Sequence, residues 1–457
     1  MATTINSVRG TSRRRFLKGL GAGVAALHAV PAHVLGGESG PAPSDKLNVA
    51  CIGIGGRGRA SVDACGGQNI IGLCDVDDAV AGNAYTTFPK AKKFRDFRTM
   101  LDELDKSIEA VTVGTPDHTH TVAAMDAMRR GKHVYCEKPL AHSIGEIRAL
   151  MQAAREHKVI TQLGNQGHSS NDIRSLCEWI RDGAIGNVTE VHASCDAFPD
   201  VYCQIGKLPK LAEKHDVPAH LDYDLWVGPA QFRPYSPMWV PWNWRGWLRF
   251  GCGCIGDWIC HVVDPSFWAL DLGLPTSIRA EVKDYDPKAH AEVYPRGTKI
   301  TFQFPAKGRR GPVKLVWFDG SERVPRPPML DQGQNAHGTG AVIYGDKGAM
   351  MHGSHGAGGV KLIPDARNRE YKRPEPSIAR VPHQDHHRDW LNAIFAGRQS
   401  GSPFEYGGPL TEIALLGVIA IRFPGQELLW DAGAMRFTNF AEANAYVAPP
   451  YREGWKL

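Results

Sequence analysis

No pair of cysteines in the C-x-x-C spacing occurs among the ten in this 457-residue chain, and the ten fall at irregular intervals. A disulfide scaffold is therefore not indicated. Cys252, Cys254, Cys260 and His261 lie close in sequence but lack the paired knuckles of a zinc site, so no metal is expected. Long tracts of one charge are missing too: 53 basic and 48 acidic residues are interspersed, for a net charge of +5, which argues against a nucleic-acid partner. Beyond the N-terminal segment, no stretch reaches the roughly 18 apolar residues of a membrane span. What is plentiful is glycine, at 50, and tryptophan, at 12, a composition of tight loops and flat apolar faces suited to sugar rings. The length and the 42% apolar content are enough for two globular domains.

Ser12-Arg13-Arg14-Arg15-Phe16-Leu17-Lys18 precedes a weakly apolar run from Gly19 to Leu35 and a Gly/Pro-rich linker ending at Pro43. This order is that of a twin-arginine export signal. It implies an exported, periplasmic protein and sets residues 1–44 apart from the fold.

Residues 45–166 read as a dinucleotide-binding domain. The apolar run Leu47–Ile52 leads directly into Gly53-Ile54-Gly55-Gly56-Arg57-Gly58 and then a helical stretch, which is G-x-G-x-x-G in its working context. Gly53 permits the turn, Gly55 lets backbone approach a pyrophosphate, and Gly58 lets helix and strand close together. A second strand, Asn69–Cys74, ends in Asp75, 22 residues after Gly53. A carboxylate there accepts ribose hydroxyls and repels a 2'-phosphate, favouring NAD over NADP. Arg57 and Arg59 are either partners for such a phosphate or solvated charge. Further strands at Ala110–Val113, Val134–Cys136 and Val159–Leu163, and a capping box at Ser143-Ile144-Gly145-Glu146, continue a parallel sheet. Three polar loops should then converge beyond the strand ends: Thr115–His120, Glu137-Lys138-Pro139 and Gly164–His168.

The order and spacing of G-x-G-x-x-G, Thr115-Pro116-Asp117-His118-Thr119-His120 and Glu137-Lys138-Pro139 resemble the glucose-fructose oxidoreductase, inositol dehydrogenase and rhizopine catabolism (Gfo/Idh/MocA) family, from about Leu47 to the C-terminus. The resemblance implies that Lys138 lies beside nicotinamide and substrate, and that Thr115, Pro116 and His120, with Glu137 of E-K-P, line the cofactor. It also implies a second domain, residues 167–457, of α+β class with a mostly antiparallel, open-faced sheet that often mediates homo-oligomer contacts. Alternating strands at Lys299–Phe304 and Val313–Phe318 fit that sheet.

Gly256-Asp257-Trp258-Ile259-Cys260-His261-Val262-Val263-Asp264 puts Asp257, His261 and Asp264 on one helical face. In the family, a D-x-x-x-H pair supplies an acid/base histidine and its carboxylate neighbour, so Asp257 is expected to orient His261, with Asp264 structural. Between Cys195 and Phe250 lies a long Trp-rich insert, with Trp226, Trp239, Trp242, Trp244, Arg245 and Trp247. It reads equally as a lid, with Arg245 on substrate hydroxyls, or as a small aromatic core. Asn165 and His168 are expected substrate contacts, although their G-N-Q-G-H loop departs from the commoner family pattern. His383, Asp385, His386 and His387 read as a polar helix start. The resemblance implies a NAD-dependent oxidoreductase acting on a carbohydrate or cyclitol. The alternatives are a redox-neutral glycosidase or lyase working through a transient keto-sugar, and a non-catalytic NAD-containing binding protein.

Overall fold

Short apolar runs punctuated by glycine and polar turns build two sheets. The computed structural model describes residues 45–457; the expected export signal lies outside the described residues. In the first sheet, six strands run parallel: β1 (Asn48–Ile52), β2 (Asn69–Cys74), β3 (Lys92–Phe94), β4 (Ala110–Val113), β5 (His133–Cys136) and β6 (Thr161–Leu163). Their spatial order is β3-β2-β1-β4-β5-β6. All four residues of β4 are buried, as expected of a central strand covered on both faces. The order reverses between β1 and β4, which opens a crevice beyond their carboxyl ends. The expected strands occur within a residue or two of their sequence positions. Edge strand β3 carries no such signal, because two of its three residues are exposed lysines. The capping box is present: Ser143 Oγ accepts from Glu146 N–H, and Glu146 accepts from Ser143 N–H at 2.8 Å.

The second sheet has nine strands: β7 (Val188–Cys195), β8 (Ser277–Lys283), β9 (Gly297–Phe304), β10 (Val313–Gly320), β11 (Gly340–Gly345), β12 (Gly348–Gly353), β13 (Lys361–Ile363), β14 (Glu427–Asp431) and β15 (Arg436–Phe437). The spatial order is β13-β12-β11-β7-β10-β9-β8-β14-β15. Only β7 and β10 pair in parallel. One face carries the helices Gly253–Val262 and Phe404–Ile421. The latter is the one helix among the described residues long and apolar enough to cross a membrane, and 78% of it is buried in this fold, so its apolar surface is spent on the core. The opposite face is not bare: Val324, Met329 and Leu330 pack over Val342, Met351 and Ile363 near one end of the sheet.

The two sheets share a core. Val113 and Leu163 of the first belong to the same apolar cluster as Ile255, Phe302 and Leu416 of the second half. The helix His386–Ala396, capped by Asp385 as a polar helix start, returns to the first sheet. Its Trp390 is fully buried among Val49, Cys51 and Tyr135. Trp390→Ala is expected to lower unfolding free energy by about 3–5 kcal/mol, read as a fall in urea midpoint at unchanged slope; an unchanged midpoint would show that this helix does not brace the first sheet.

Candidate active site

Beyond the strand ends a crevice is lined by most of the glycine loop, Asp75, Thr115–Asp117, Thr119, His120, Glu137, Lys138, Asp257 and residues of the Trp-rich insert. The glycine loop is held at close quarters. Gly53 has φ +71°, and a Cβ there would stand 2.5 Å from the Thr115 nitrogen; at Gly58 it would stand 1.8 Å from the Gly53 carbonyl oxygen. No side chain fits either position, so the backbone itself forms the wall. Asp75, at the end of β2, accepts from Ile54 N–H (2.9 Å), Gly55 N–H (3.1 Å) and Asp77 N–H (3.1 Å). A carboxylate offers about four lone-pair sites, so these three bonds pin the loop and leave room for one more donor, such as a ribose hydroxyl. Burial pushes its carboxyl up to about 6.

Glu137 accepts from Arg57 Nε (3.1 Å) and Gln166 Nε2 (2.9 Å) through one oxygen, while its other oxygen is buried without a partner. Thr115 Oγ1 is likewise buried and unpartnered. Two orphaned polar atoms on residues of one crevice wall, beside a glycine cradle, fit a dinucleotide whose hydroxyl and amide groups would satisfy them. Arg59 instead bonds Asp63 and Thr87 and is solvated charge. The two ring nitrogens of His120 lie 2.8 Å from the Thr115 carbonyl and 2.7 Å from the Pro139 carbonyl, tying the two loops together. Burial lowers its pKa to about 4, so the ring is neutral at pH 7 and donates to one of them.

At the inner end, four segments meet on one buried carboxylate. Asp257 pairs with Lys138 Nζ through one oxygen; through the other it accepts from Tyr202 OH and faces Arg245 Nε at 3.3 Å. Trp258 Nε1 donates to the same Tyr202 oxygen at 2.9 Å. The Arg245 guanidinium lies 4.1 Å and 4.2 Å from the rings of Trp242 and Trp244. Burial works to raise the Asp257 pKa, but Lys138 and then Arg245 outweigh it and hold the carboxyl well below the usual range. The expected orientation of His261 by Asp257 does not occur. Helical spacing puts both on one face, yet both Asp257 oxygens are taken by partners across the crevice. His261 is buried outside the crevice wall, its Nδ1 has no partner, and its ring stacks on His355 at 4.2 Å and 18°. Burial, then Lys138 and His355, hold His261 well below the usual histidine range.

Comparison with known proteins decides what this geometry belongs to. A family model described as "Oxidoreductase family, NAD-binding Rossmann fold" matches residues 47–165, and one described as "Oxidoreductase family, C-terminal alpha/beta domain" matches residues 170–457. The chain belongs to the Gfo/Idh/MocA oxidoreductase family. Among curated relatives, a levoglucosan dehydrogenase of Pseudarthrobacter phenanthrenivorans is 27% identical over 42% of this chain and 40% of the relative. A glycosyl hydrolase family 109 protein of Akkermansia muciniphila is 29% identical over 40% and 47%, and an inositol 2-dehydrogenase of Salmonella typhimurium 28% over 32% and 45%. The chain thus spans about half or less of the length of these relatives. A solved levoglucosan dehydrogenase in complex with NADH and levoglucosan matches with a TM-score of 0.54 at 18% identity, over 82% of this chain and 97% of that one. An aldose-aldose oxidoreductase from Caulobacter crescentus matches with a TM-score of 0.53 at 16% identity, over 84% of this chain and 100% of that one. At such identities the structural matches speak for the fold.

Within this Gfo/Idh/MocA frame, two expected substrate contacts move elsewhere. Asn165 Nδ2 donates to Asp264 at 3.0 Å, and His168 Nδ1 lies 3.1 Å from both Asp264 oxygens while its ring stacks on Trp268. Both are buried off the crevice wall. The cause is Asp264, a fully buried carboxylate that draws its donors from this loop and from Tyr406 OH. Among the described residues, no cluster of three or more His, Cys, Asp or Glu suits a metal, and all ten cysteines are free.

Tyr202 and His355 lie outside the motifs, and Asp117 lies inside the Thr115–His120 loop without an expected role. Asp117 accepts from Cys252 N–H at 2.9 Å, and burial, with Asp257 adding, pushes its carboxyl up to about 7. Tyr202 comes from the short helix Pro199–Tyr202 at the start of the insert, which carries no recognisable spacing. His355, exposed at φ +55°, is delivered by the loop Gly353–Gly359, where Gly356 and Gly167 approach so closely that a Cβ on either would overlap backbone. A histidine set among four glycines in seven residues is a legible signal for that loop. Asp257→Asn leaves Lys138 and Arg245 without a buried counter-charge. It is expected to destabilise the fold by about 3–5 kcal/mol in denaturant titration; a loss under 1 kcal/mol would mean the cluster is not held by this carboxylate.

Proposed function

We propose that the chain is a NAD-dependent oxidoreductase that moves hydride at a hydroxyl-bearing carbon of a sugar, sugar derivative or cyclitol, with its cofactor held tightly. The observation that carries this reading is the meeting, in one crevice, of a glycine cradle and a lysine fixed on a buried aspartate. NAD bound there supplies the hydride acceptor at its nicotinamide. Asp75 and the glycine loop hold the adenosine half. Lys138, held by its ion pair with Asp257, stands where oxygen charge grows as the hydroxyl becomes a carbonyl. His261, neutral because it is buried behind the crevice wall, takes the hydroxyl proton through a bridging water, and the His355 ring stacked on it helps to keep it neutral. Arg245, sandwiched between tryptophans, binds substrate hydroxyls. The aromatic insert excludes water from the reacting carbon.

A second reading uses the same residues. Oxidation at one sugar carbon acidifies the neighbouring C–H bond, a glycosidic substituent is eliminated, and the hydride returns with no net NADH. Asp117 favours it, since a carboxyl with pKa about 7 can donate a proton to a leaving group at neutral pH, as does the similarity to a family 109 glycosyl hydrolase. Bond cleavage without NADH accumulation supports this cycle; a keto-sugar formed with NADH supports net oxidation. The twin-arginine motif at Arg13-Arg14 adds that the protein works outside the cytoplasm, where a cofactor loaded before export is best kept. Protein purified without nucleotide and then denatured is expected to release NAD or NADH near one per chain. Empty protein that needs soluble NAD for each turnover would overturn tight retention.

The pH profile tests the proton path. Burial and Lys138 lower the pKa of both His261 and His355, so their base form persists below the usual value of about 6.5. The acidic limb of kcat/KM is expected below pH 6.5. Lys138→Met should slow turnover by roughly 10²–10³-fold with NAD retained, and move the limb upward because the depressing charge is gone. A limb that does not move separates Lys138 from the histidines.

A further inference from the structure

The C-terminal tail reaches the crevice at the end opposite Lys138. Trp455 is part of the lining, together with Phe97, Val80, Val76 and Asp77, beside the Asp75 carboxylate at the end of β2. That is the adenosine side of a dinucleotide in this fold. The indole is held on two sides. Its ring lies 6.3 Å from Phe97, tilted by 42°, and the Arg98 guanidinium sits 4.6 Å from its centroid. Three residues back, Arg452 fastens the tail to the insert: Nε donates to the Gly228 carbonyl at 2.5 Å, and its terminal nitrogens to Asp224 Oδ1 at 2.7 Å and the Asp224 carbonyl at 2.8 Å. Arg452 N–H adds a bond to the Pro229 carbonyl at 3.1 Å, and Gly454, at φ +85°, turns the chain so that Trp455 folds back. The insert is itself stitched to the nucleotide-binding half, through Asp78 N–H to the His220 carbonyl (3.1 Å) and Asp222 N–H to the Val76 carbonyl (2.8 Å).

A flat, half-buried aromatic ring with one cationic neighbour, fixed at the mouth of a crevice beside a ribose-accepting carboxylate, has the shape and chemistry to stack a purine. We infer that the tail Arg452–Trp455 is an adenosine clasp, with Trp455 the stacking platform for the adenine ring; this rests on the NAD reading above. The clasp makes residues 452–455 part of the cofactor site, and it ties cofactor release to undocking of this segment and the insert together.

Two fragments of the cofactor separate this role from a general structural one. ADP-ribose carries the adenosine half and nicotinamide mononucleotide does not, and both are titrated against apoprotein by intrinsic tryptophan fluorescence or calorimetry. Trp455→Ala is expected to weaken ADP-ribose by roughly 5- to 150-fold, the 1–3 kcal/mol of one base–aromatic stack converted at tenfold per 1.4 kcal/mol, and to leave nicotinamide mononucleotide unchanged. Trp455→Phe should recover most of the loss, and Arg452→Met, which unfastens the tail, should reproduce it with the indole still present. Equal ADP-ribose affinity in wild type and Trp455→Ala overturns the clasp while the NAD reading stands, and so does an equal loss for both fragments. A wild-type protein that binds neither fragment removes the NAD reading and the clasp with it.

Discussion

One buried carboxylate sets the geometry on which the rest of the site depends. Asp257 lies in a place where an isolated charge would be costly, and three segments far apart in sequence compensate it: Lys138 from the first sheet, Tyr202 from the start of the insert and Arg245 from its end. Breaking such a cluster by removing one member costs far more than its assembly gains, so these segments are held in one relative arrangement. The nucleotide-binding half, the insert and the helix carrying Asp257 therefore meet at a fixed point, and the crevice between them has a defined inner end.

The fold was largely legible because its signals are local. The apolar run before Gly53, the Asp75 that ends β2, the Ser143 capping box and the alternation in β9 and β10 all depend on spacings that backbone geometry imposes. The organisation of the second half is less local. Helix His386–Ala396 crosses back to brace the first sheet through Trp390, and only the three-dimensional core reveals it.

Side-chain partnership was harder to read than residue location. Lys138, Asp257, Arg245, Gly53, Gly55 and Arg57 line one crevice, but the pairing among them follows charge rather than helical spacing. Asp257 turned to Lys138 rather than to His261, four positions along its own helix, because a cation offers a buried carboxylate more than a neutral imidazole does. Asn165 and His168 went to Asp264 because a fully buried carboxylate needs hydrogen-bond donors, and this loop supplies them. His355 and Tyr202 come from segments whose function depends on where loops land, which no periodicity records.

The central claim is that hydride passes between a substrate carbon and a cofactor retained in the crevice beside Lys138. Its most direct measurement is a single turnover: protein as purified, with no added nucleotide, is mixed with a panel of sugars and cyclitols deuterated at their ring carbons, then quenched. Deuterium is expected on the nicotinamide ring of the cofactor released by denaturation, at up to one equivalent per chain, and roughly 10²–10³-fold more slowly with the Lys138→Met protein. Substrate consumed with no deuterium ever reaching the nicotinamide would contradict it.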